Sequence, residues 1–248
     1  HIEKIIIDDT SLDYELKVPV IELMRLLEIA TFNHADKMGF DHDTMLKENN
    51  AFWVVSKMKM AISGDIHSQD KVTIKTWTHT PGMLRFNRNC ILKVKNKIKV
   101  KAAAEWCCLD YETRKPRKGS SIKYPDLEMV EKKELNMPYS NLKLDMNDTD
   151  YVYTKIVRTT DIDVNNHTNN LKYNYIAFDA LTIDELKSIN IKEYEIYFVN
   201  ESKYEDEIKV YKKKLKDCYY IEGKIEDKTI FRVIIKYRKK IKCYKKRD

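Results

Sequence analysis

Residues 161–170 read DIDVNNHTNN and bring together residue types that can activate water. Asp163, Asn165 and His167 alternate along the chain, so an extended backbone would point all three side chains to the same side. Carboxylate and imidazole groups are the usual acceptors of a proton from an attacking water molecule. This decapeptide therefore predicts a site for general-base chemistry.

The same residue types also suit an ordinary turn. Asp, Asn and Thr are favoured in turns and at helix N-caps, and a histidine among them can simply fill space. Spacing alone favours this structural interpretation over the catalytic one. The segments around the decapeptide must therefore decide between the two.

A helix is predicted directly after the decapeptide, in residues 169–181. Helical spacing places four apolar or aromatic side chains on one side of it, namely Leu171, Tyr175, Phe178 and Leu181. A helix that starts near Asn169 would offer backbone N–H groups and the positive end of its dipole beside the polar residues. Such donors can stabilise negative charge that develops on an oxygen atom.

A helix followed by strands occurs twice in the chain, which indicates an internal duplication. The first helix is predicted in residues 18–39. Each helix is followed by four segments rich in β-branched and aromatic residues, which predict strands. These segments are 52–62, 71–79, 85–94 and 98–111 in the first half, and 194–200, 207–215, 218–225 and 229–239 in the second, with hairpin turns at 95–97 and 226–228.

The two halves also align in detail. The matched pairs are Asp13 with Asp163, Glu15 with Asn165, Lys17 with His167 and Asp65 with Glu201. A lysine thus stands in the first half where the second half has the histidine. We therefore predict a single site per chain, in the second half.

Two such units predict an α+β fold with two antiparallel sheets, each wrapped around a helix. We predict an N-terminal unit in 1–123, a linker in 124–150 with one helical turn, and a C-terminal unit in 151–248. Pairing the units edge to edge would cover one exposed strand edge of each.

Composition narrows the class of protein. The 248 residues are 43% hydrophobic and carry a formal net charge of +7, which suits an acidic partner. Five cysteines without CxxC spacing favour a reduced, cytoplasmic protein, and no zinc-type cluster is evident. We expect no signal peptide, no membrane span and no stable membrane association. We also expect no nucleic-acid binding, because no such motif is evident.

Several segments resemble the acyl-acyl carrier protein thioesterases, both the plant plastid enzymes and their bacterial relatives. The matching pieces are FWVVSKMKM, the KTW that ends at Trp77, FNRN (86–89), EWCCLDYETRKPRK (105–118), DVNNHTNNLKY (163–173) and YFVNES (197–202). The resemblance implies a tandem double hotdog fold. It also implies hydrolysis of the acyl-acyl carrier protein thioester to free fatty acid, without a metal or an organic cofactor. The acidic acyl carrier protein would be the partner, and a homodimer is possible.

The resemblance also assigns roles to residues. Glu201 would act as the general base, with His167 sharing the proton and Asn165 orienting water or the carbonyl. Asp163 would hold the loop, although a direct base role stays open for it. Substrate-binding roles would fall to five residues: Asn169, Asn170, Ser202, and also Met24 and Leu27, which would line an acyl channel unless they only pack the core.

One departure concerns Ser202, because plant members carry cysteine there. A cysteine nucleophile has been proposed for the family, but a serine hydroxyl would need much stronger activation. We therefore favour direct attack by water. Two other functions stay open: hydrolysis of acyl-coenzyme A, and non-catalytic acyl binding by a regulator.

Overall fold

The computed structural model describes residues 1–123, 129–135 and 137–240. They form two compact units. The first comprises His1–Ser140 together with Glu195–Phe198, and the second comprises Asn141–Tyr194 together with the chain from Val199 onward. The predicted linker, 124–150, is thus divided between the units after Ser140.

The first unit is an antiparallel sheet with one long helix. Its elements are β1 (Ile2–Ile6), α1 (Val20–Lys37), α2 (His42–Asn49), β2 (Ala51–Ile62), β3 (Lys71–Thr78), β4 (Phe86–Val94) and β5 (Lys97–Asp110). The strand order is β1-β3-β4-β5-β2. Helix α1 contacts β3 and buries an apolar face that includes Leu23, Met24 and Leu27.

The second unit repeats this arrangement. Its elements are β6 (Asp150–Ile156), α3 (Asn170–Phe178), α4 (Ile183–Lys187), β7 (Ile189–Phe198, of which Glu195–Phe198 are grouped with the first unit), β8 (Glu207–Lys214), β9 (Cys218–Ile225) and β10 (Lys228–Lys239). The strand order β6-β8-β9-β10-β7 is that of the first unit, element for element. Helix α3 contacts β9. The internal duplication predicted from the sequence is therefore present in the topology of each unit.

The predicted elements agree with the observed ones to within a few residues, except that β7 begins earlier, at Ile189. The hairpin predicted at 95–97 is formed by Lys95 and Asn96, both with left-handed backbone (φ 47° and 64°). Four elements were not predicted: β1, α2, β6 and α4. Strand β1 has no fully buried residue and helix α2 buries only Met45 and Asn49, so neither gives a strong periodic signal.

The described part of the predicted linker is bonded to the first unit up to Ser140. The Trp77 indole N–H donates to the Lys132 carbonyl (2.8 Å), and the Lys59 ammonium donates to the Pro138 carbonyl (2.8 Å). The predicted helical turn is a short 3-10 turn at Met146–Asp148. Residues 124–128 and 136 lie outside the described residues.

Candidate active site

The residues 163–167 form a tight turn closed by Asp163. The Asp163 N–H donates to the His167 carbonyl (2.9 Å), and the Asp163 Oδ1 accepts the Asn165 N–H (2.8 Å). Asn166 takes the left-handed conformation (φ 61°), which asparagine tolerates better than most residues. The expectation that Asp163, Asn165 and His167 share an extended backbone is therefore wrong, because the aspartate side chain bends the chain instead.

The turn brings His167 to Glu201. The His167 Nε2 lies 3.4 Å from a carboxylate oxygen of Glu201, which stands in the loop between β7 and β8. The imidazole is 15% exposed and the carboxylate 44%. The other ring nitrogen, Nδ1, is buried and has no hydrogen-bond partner among the residues that the structure describes. The two groups that the sequence places far apart thus meet at the surface of one unit.

Backbone hydrogen bonds next to this pair fix the two segments. The Thr168 N–H donates to the Ser202 carbonyl (2.8 Å), and the Asn169 N–H donates to the Asp161 carbonyl (2.8 Å). Asp161 is itself buried, and its carboxylate meets the Lys155 ammonium at 2.8 Å. Burial opposes ionisation of Asp161, but the Lys155 ammonium, the Arg158 N–H and the charge of Lys172 together outweigh it and lower the pKa of this carboxyl.

Asn169 and Asn170 stand at the start of helix α3. The Asn169 side chain caps the helix, because its oxygen accepts the Leu171 N–H (2.8 Å), and its carbonyl accepts the Lys172 N–H (2.9 Å). Asn170 is the first residue of α3, so its N–H belongs to the helix start, where backbone donors lack intrahelical acceptors.

Ser202 lies in a different environment from the one expected for a substrate contact. It is fully buried, and its hydroxyl lies 2.7 Å from Thr168 Oγ1 and 2.9 Å from Tyr173 Oη. The sequence predicted no role for Thr168 or Tyr173. The alignment of the two halves could have revealed them. It pairs Thr168, Tyr173 and Ser202 with Val18, Leu23 and Ile66, which are apolar.

Met24 and Leu27 lie on the buried face of α1 in the first unit, 5% and 1% exposed. This burial fits core packing. Their role in an acyl channel stays a prediction.

The first unit contains a copy of the turn with different side chains. The Asp13 N–H donates to the Lys17 carbonyl (2.8 Å), and Asp13 Oδ1 accepts the Glu15 N–H (2.8 Å). The Lys17 ammonium pairs with Glu15 at 2.7 Å. Burial disfavours the charged ammonium, but Glu15 and Asp65 outweigh it and raise the pKa of Lys17. A lysine held in its charged form cannot take a proton from water, which supports a single site per chain.

Two further observations bear on the chemistry. Within residues 1–123, 129–135 and 137–240, no group of three His, Cys, Asp or Glu side chains is arranged to hold a metal ion. No helix in these ranges has the length and apolar character needed to span a membrane.

Two family models match the chain. The acyl-ACP thioesterase N-terminal domain matches residues 3–120, and the C-terminal domain of the same family matches residues 142–243. Among curated proteins, an oleoyl-acyl carrier protein thioesterase of Arabidopsis thaliana is 25% identical over 198 residues, which is 69% of this chain and 52% of that protein. The chain spans about half the length of the curated relatives it matches.

Solved structures show the same fold. An acyl-ACP thioesterase from Bacteroides thetaiotaomicron superposes with a TM-score of 0.86 at 23% identity, covering 96% of this chain and 97% of that one. A 12:0-ACP thioesterase from Umbellularia californica superposes with a TM-score of 0.83 at 18% identity, covering 97% of each chain. The predicted α+β tandem double hotdog fold is thereby confirmed. Since the two family models together account for most of its length, the chain belongs to the acyl-ACP thioesterase family.

Proposed function

We propose that the chain hydrolyses the thioester of acyl-acyl carrier protein and releases free fatty acid. The observation that carries this proposal is the contact between His167 and Glu201, beside the start of helix α3. The family supports the substrate class, and relatives that match this chain are named as hydrolases or thioesterases of acyl carrier protein substrates.

Glu201 is the general base in the proposed reaction. Its carboxylate takes a proton from water while the water oxygen forms a bond to the thioester carbonyl carbon. The His167 ring, at 3.4 Å, holds the carboxylate and shares the proton. The carbonyl oxygen becomes negatively charged, and the Asn170 backbone N–H and the side-chain amide of Asn165 stabilise it. The C–S bond then breaks, and the thiolate leaves and receives the proton that the Glu201–His167 pair holds.

Asp163 is assigned a structural role rather than that of the base. Its Oδ1 already accepts the Asn165 N–H and its backbone closes the turn onto His167. Glu201, in contrast, presents a carboxylate that is 44% exposed and adjacent to the imidazole. A proton acceptor for water must be reachable from the substrate, and Glu201 meets this requirement.

The carrier protein is the proposed partner, because an acidic carrier complements a chain of net charge +7 and complementary charge speeds encounter. Cys90, Cys107 and Cys108 form no disulfide in the part of the chain that the structure describes. The cytoplasmic location, the possible homodimer and the lack of stable membrane association stay predictions.

The test replaces Glu201 with Gln and measures hydrolysis of acyl-acyl carrier protein. Loss of a general base lowers kcat by about 10²–10⁴-fold. Glu205 is exposed in the same loop, so Glu205→Gln is the matched control and retains the wild-type rate. Wild-type kcat in Glu201→Gln would overturn the assignment. Assaying one acyl chain on both carriers decides the substrate, because a higher kcat/KM on coenzyme A would favour an acyl-CoA thioesterase.

A further inference from the structure

Two buried hydroxyl residues stand directly beside the proposed catalytic pair. Thr168 follows His167 in the chain, and Ser202 follows Glu201. Both are buried, 4% and 0% exposed, and their hydroxyl oxygens lie 2.7 Å apart. Together with the bond from the Thr168 N–H to the Ser202 carbonyl (2.8 Å), this contact fastens the two segments that carry the imidazole and the carboxylate.

A third hydroxyl comes from helix α3. The Tyr173 Oη accepts the Ser202 N–H at 3.0 Å and lies 2.9 Å from the Ser202 Oγ. Burial raises the pKa of Tyr173, so the phenol keeps its proton and can donate it to a hydrogen bond. The Tyr173 ring packs against Phe231 with its centroid at 5.5 Å, which limits its movement. Ser202 is thus held on its N–H, its carbonyl and its hydroxyl at once.

The first unit shows that the turn folds without these hydroxyls. The Val18 N–H donates to the Ile66 carbonyl at 2.9 Å, as the Thr168 N–H does to Ser202. Val18, Ile66 and Leu23 occupy the three matching positions, and all are buried and apolar. A buried hydroxyl costs free energy unless it is hydrogen-bonded, so packing alone does not explain a polar set in the second unit.

We propose that Thr168, Ser202 and Tyr173 form a positioning network that orients the Glu201 carboxylate toward the His167 ring. This inference rests on the proposed function of that pair. Apolar packing has no preferred direction, whereas hydrogen bonds fix both distance and angle. A displacement of about 1 Å in a catalytic group can cost on the order of 10²-fold in rate. The network therefore affects kcat by positioning Glu201 and His167, and none of its own members contacts the substrate.

The test compares Tyr173→Phe and Thr168→Val with the wild type. Each removes one hydroxyl and keeps most of the side-chain volume. We expect kcat to fall about tenfold in each variant with KM within about twofold, because the geometry of the reacting groups changes and substrate binding does not. Thr168→Ser restores the rate. The double variant loses no more than the worse single variant, because both hydroxyls act through Ser202.

Tyr194→Phe is the matched control. It removes another buried tyrosine hydroxyl, which donates to Asn174 of the same helix α3. We expect it to lower the melting temperature without changing kcat. Should Tyr173→Phe and Thr168→Val keep kcat within twofold and only lose thermal stability, as the control does, the network is structural and the inference fails.

A measurement that does not depend on turnover separates this inference from the proposed function. The ring ¹H–¹⁵N signals of His167 report its surroundings directly. They should move in Tyr173→Phe and Thr168→Val and stay in place in Tyr194→Phe. Unmoved signals in all three variants would overturn the network. If the wild type does not hydrolyse the substrate, but the His167 signals still move in Tyr173→Phe and Thr168→Val, the proposed function alone would be overturned.

Discussion

Lys17 and His167 occupy the same position in two copies of one turn. Each carbonyl accepts the N–H of an aspartate earlier in the turn, Asp13 at 2.8 Å and Asp163 at 2.9 Å. The same backbone frame therefore presents a charged ammonium in the first unit and an imidazole in the second. The chemistry of each copy depends on the side chains placed on this frame, and not on its shape.

The first prediction tests whether there is one site per chain. His167→Ala should lower kcat by about 10²-fold or more, because it removes the group that holds the Glu201 carboxylate and shares its proton. Lys17→Ala should leave kcat within twofold, because Lys17 is paired with Glu15 and takes no part in catalysis. Steady-state kinetics on both variants checks this. A comparable loss in Lys17→Ala would contradict a single site.

The second prediction distinguishes the role of the Asp163 carboxylate from that of the Glu201 carboxylate. Asp163→Asn keeps an oxygen that can accept the Asn165 N–H, so the turn and most of the activity should survive. Asp163→Ala removes that acceptor, loosens the turn and should lower kcat about tenfold, and loss of such a capping interaction costs about 1 kcal/mol of stability. The measurement is kcat together with urea unfolding. An Asp163→Asn variant as inactive as Glu201→Gln would make Asp163 the base.

The third prediction concerns pH and His34 in the first unit. Burial and the Arg88 guanidinium lower the pKa of His34 from 6.5 to about 4. The ring stays neutral, and its Nδ1 lies 2.8 Å from an Arg88 nitrogen that donates to it. Below pH 6.5, His34 binds a proton in the unfolded chain, whereas in the folded chain it stays neutral until the pH approaches 4. The stability that His34 contributes is therefore full above pH 6.5 and falls toward pH 4.

Urea unfolding at pH 7.5 and pH 5 checks this third prediction. The wild type should lose more stability between the two values than His34→Gln, which has no ring to titrate. Other groups that titrate in this range act equally in both proteins, so the difference isolates His34. Equal losses in both proteins would show that His34 binds its proton in the folded state as well.

The fourth prediction concerns packing beneath the site. A Cβ atom on Gly223 would overlap the ring of Phe231, which is fully buried and packs against Tyr173. Gly223→Ala should therefore cost about 1–3 kcal/mol of stability, as overpacking of a core usually does. It should also disturb Tyr173 and lower kcat. Urea unfolding and kinetics measure both effects.

Gly64→Ala is the control for this substitution. The added Cβ would meet only the flexible end of Lys99, which can move away. Its effect on stability should stay within about 0.5 kcal/mol. A Gly223→Ala variant as stable as Gly64→Ala would show that the Phe231 ring has room to shift.

The pairing of His167 with Glu201 could be predicted because two segments, DVNNHTNNLKY and YFVNES, resemble the acyl-acyl carrier protein thioesterases, and the duplicated halves offer matching positions. Two separate segments of the halves align there, one that matches Asp13 with Asp163 and a later one that matches Asp65 with Glu201. The structure agrees, since the bonds from Val18 to Ile66 and from Thr168 to Ser202 stand next to these positions. Periodicity within each half likewise located the long helices and most strands.

The conformation of the turn could not be predicted in the same way. The alternation of Asp163, Asn165 and His167 fits both a strand and a turn, and only the hydrogen bond from Asn165 to Asp163 decides between them. Tyr173 ends the segment DVNNHTNNLKY that resembles the family, but its residue type and position alone assign it no partner. Its hydroxyl gains a role only when folding brings Ser202 to it, and that contact joins segments far apart in the chain.

The turn around Asp13 keeps its fold with a lysine, an apolar lining and no reactive group. It makes the same backbone and aspartate hydrogen bonds as the turn around Asp163, although the outward side chains of the two turns differ. In a duplicated chain of this kind, the side chains on one copy of the turn can change, so that a reaction is gained, lost or altered. The backbone fold of the turn is kept in both copies. Laboratory redesign can use the same freedom by exchanging residues 15, 17 and 65 without rebuilding the two loops that carry them.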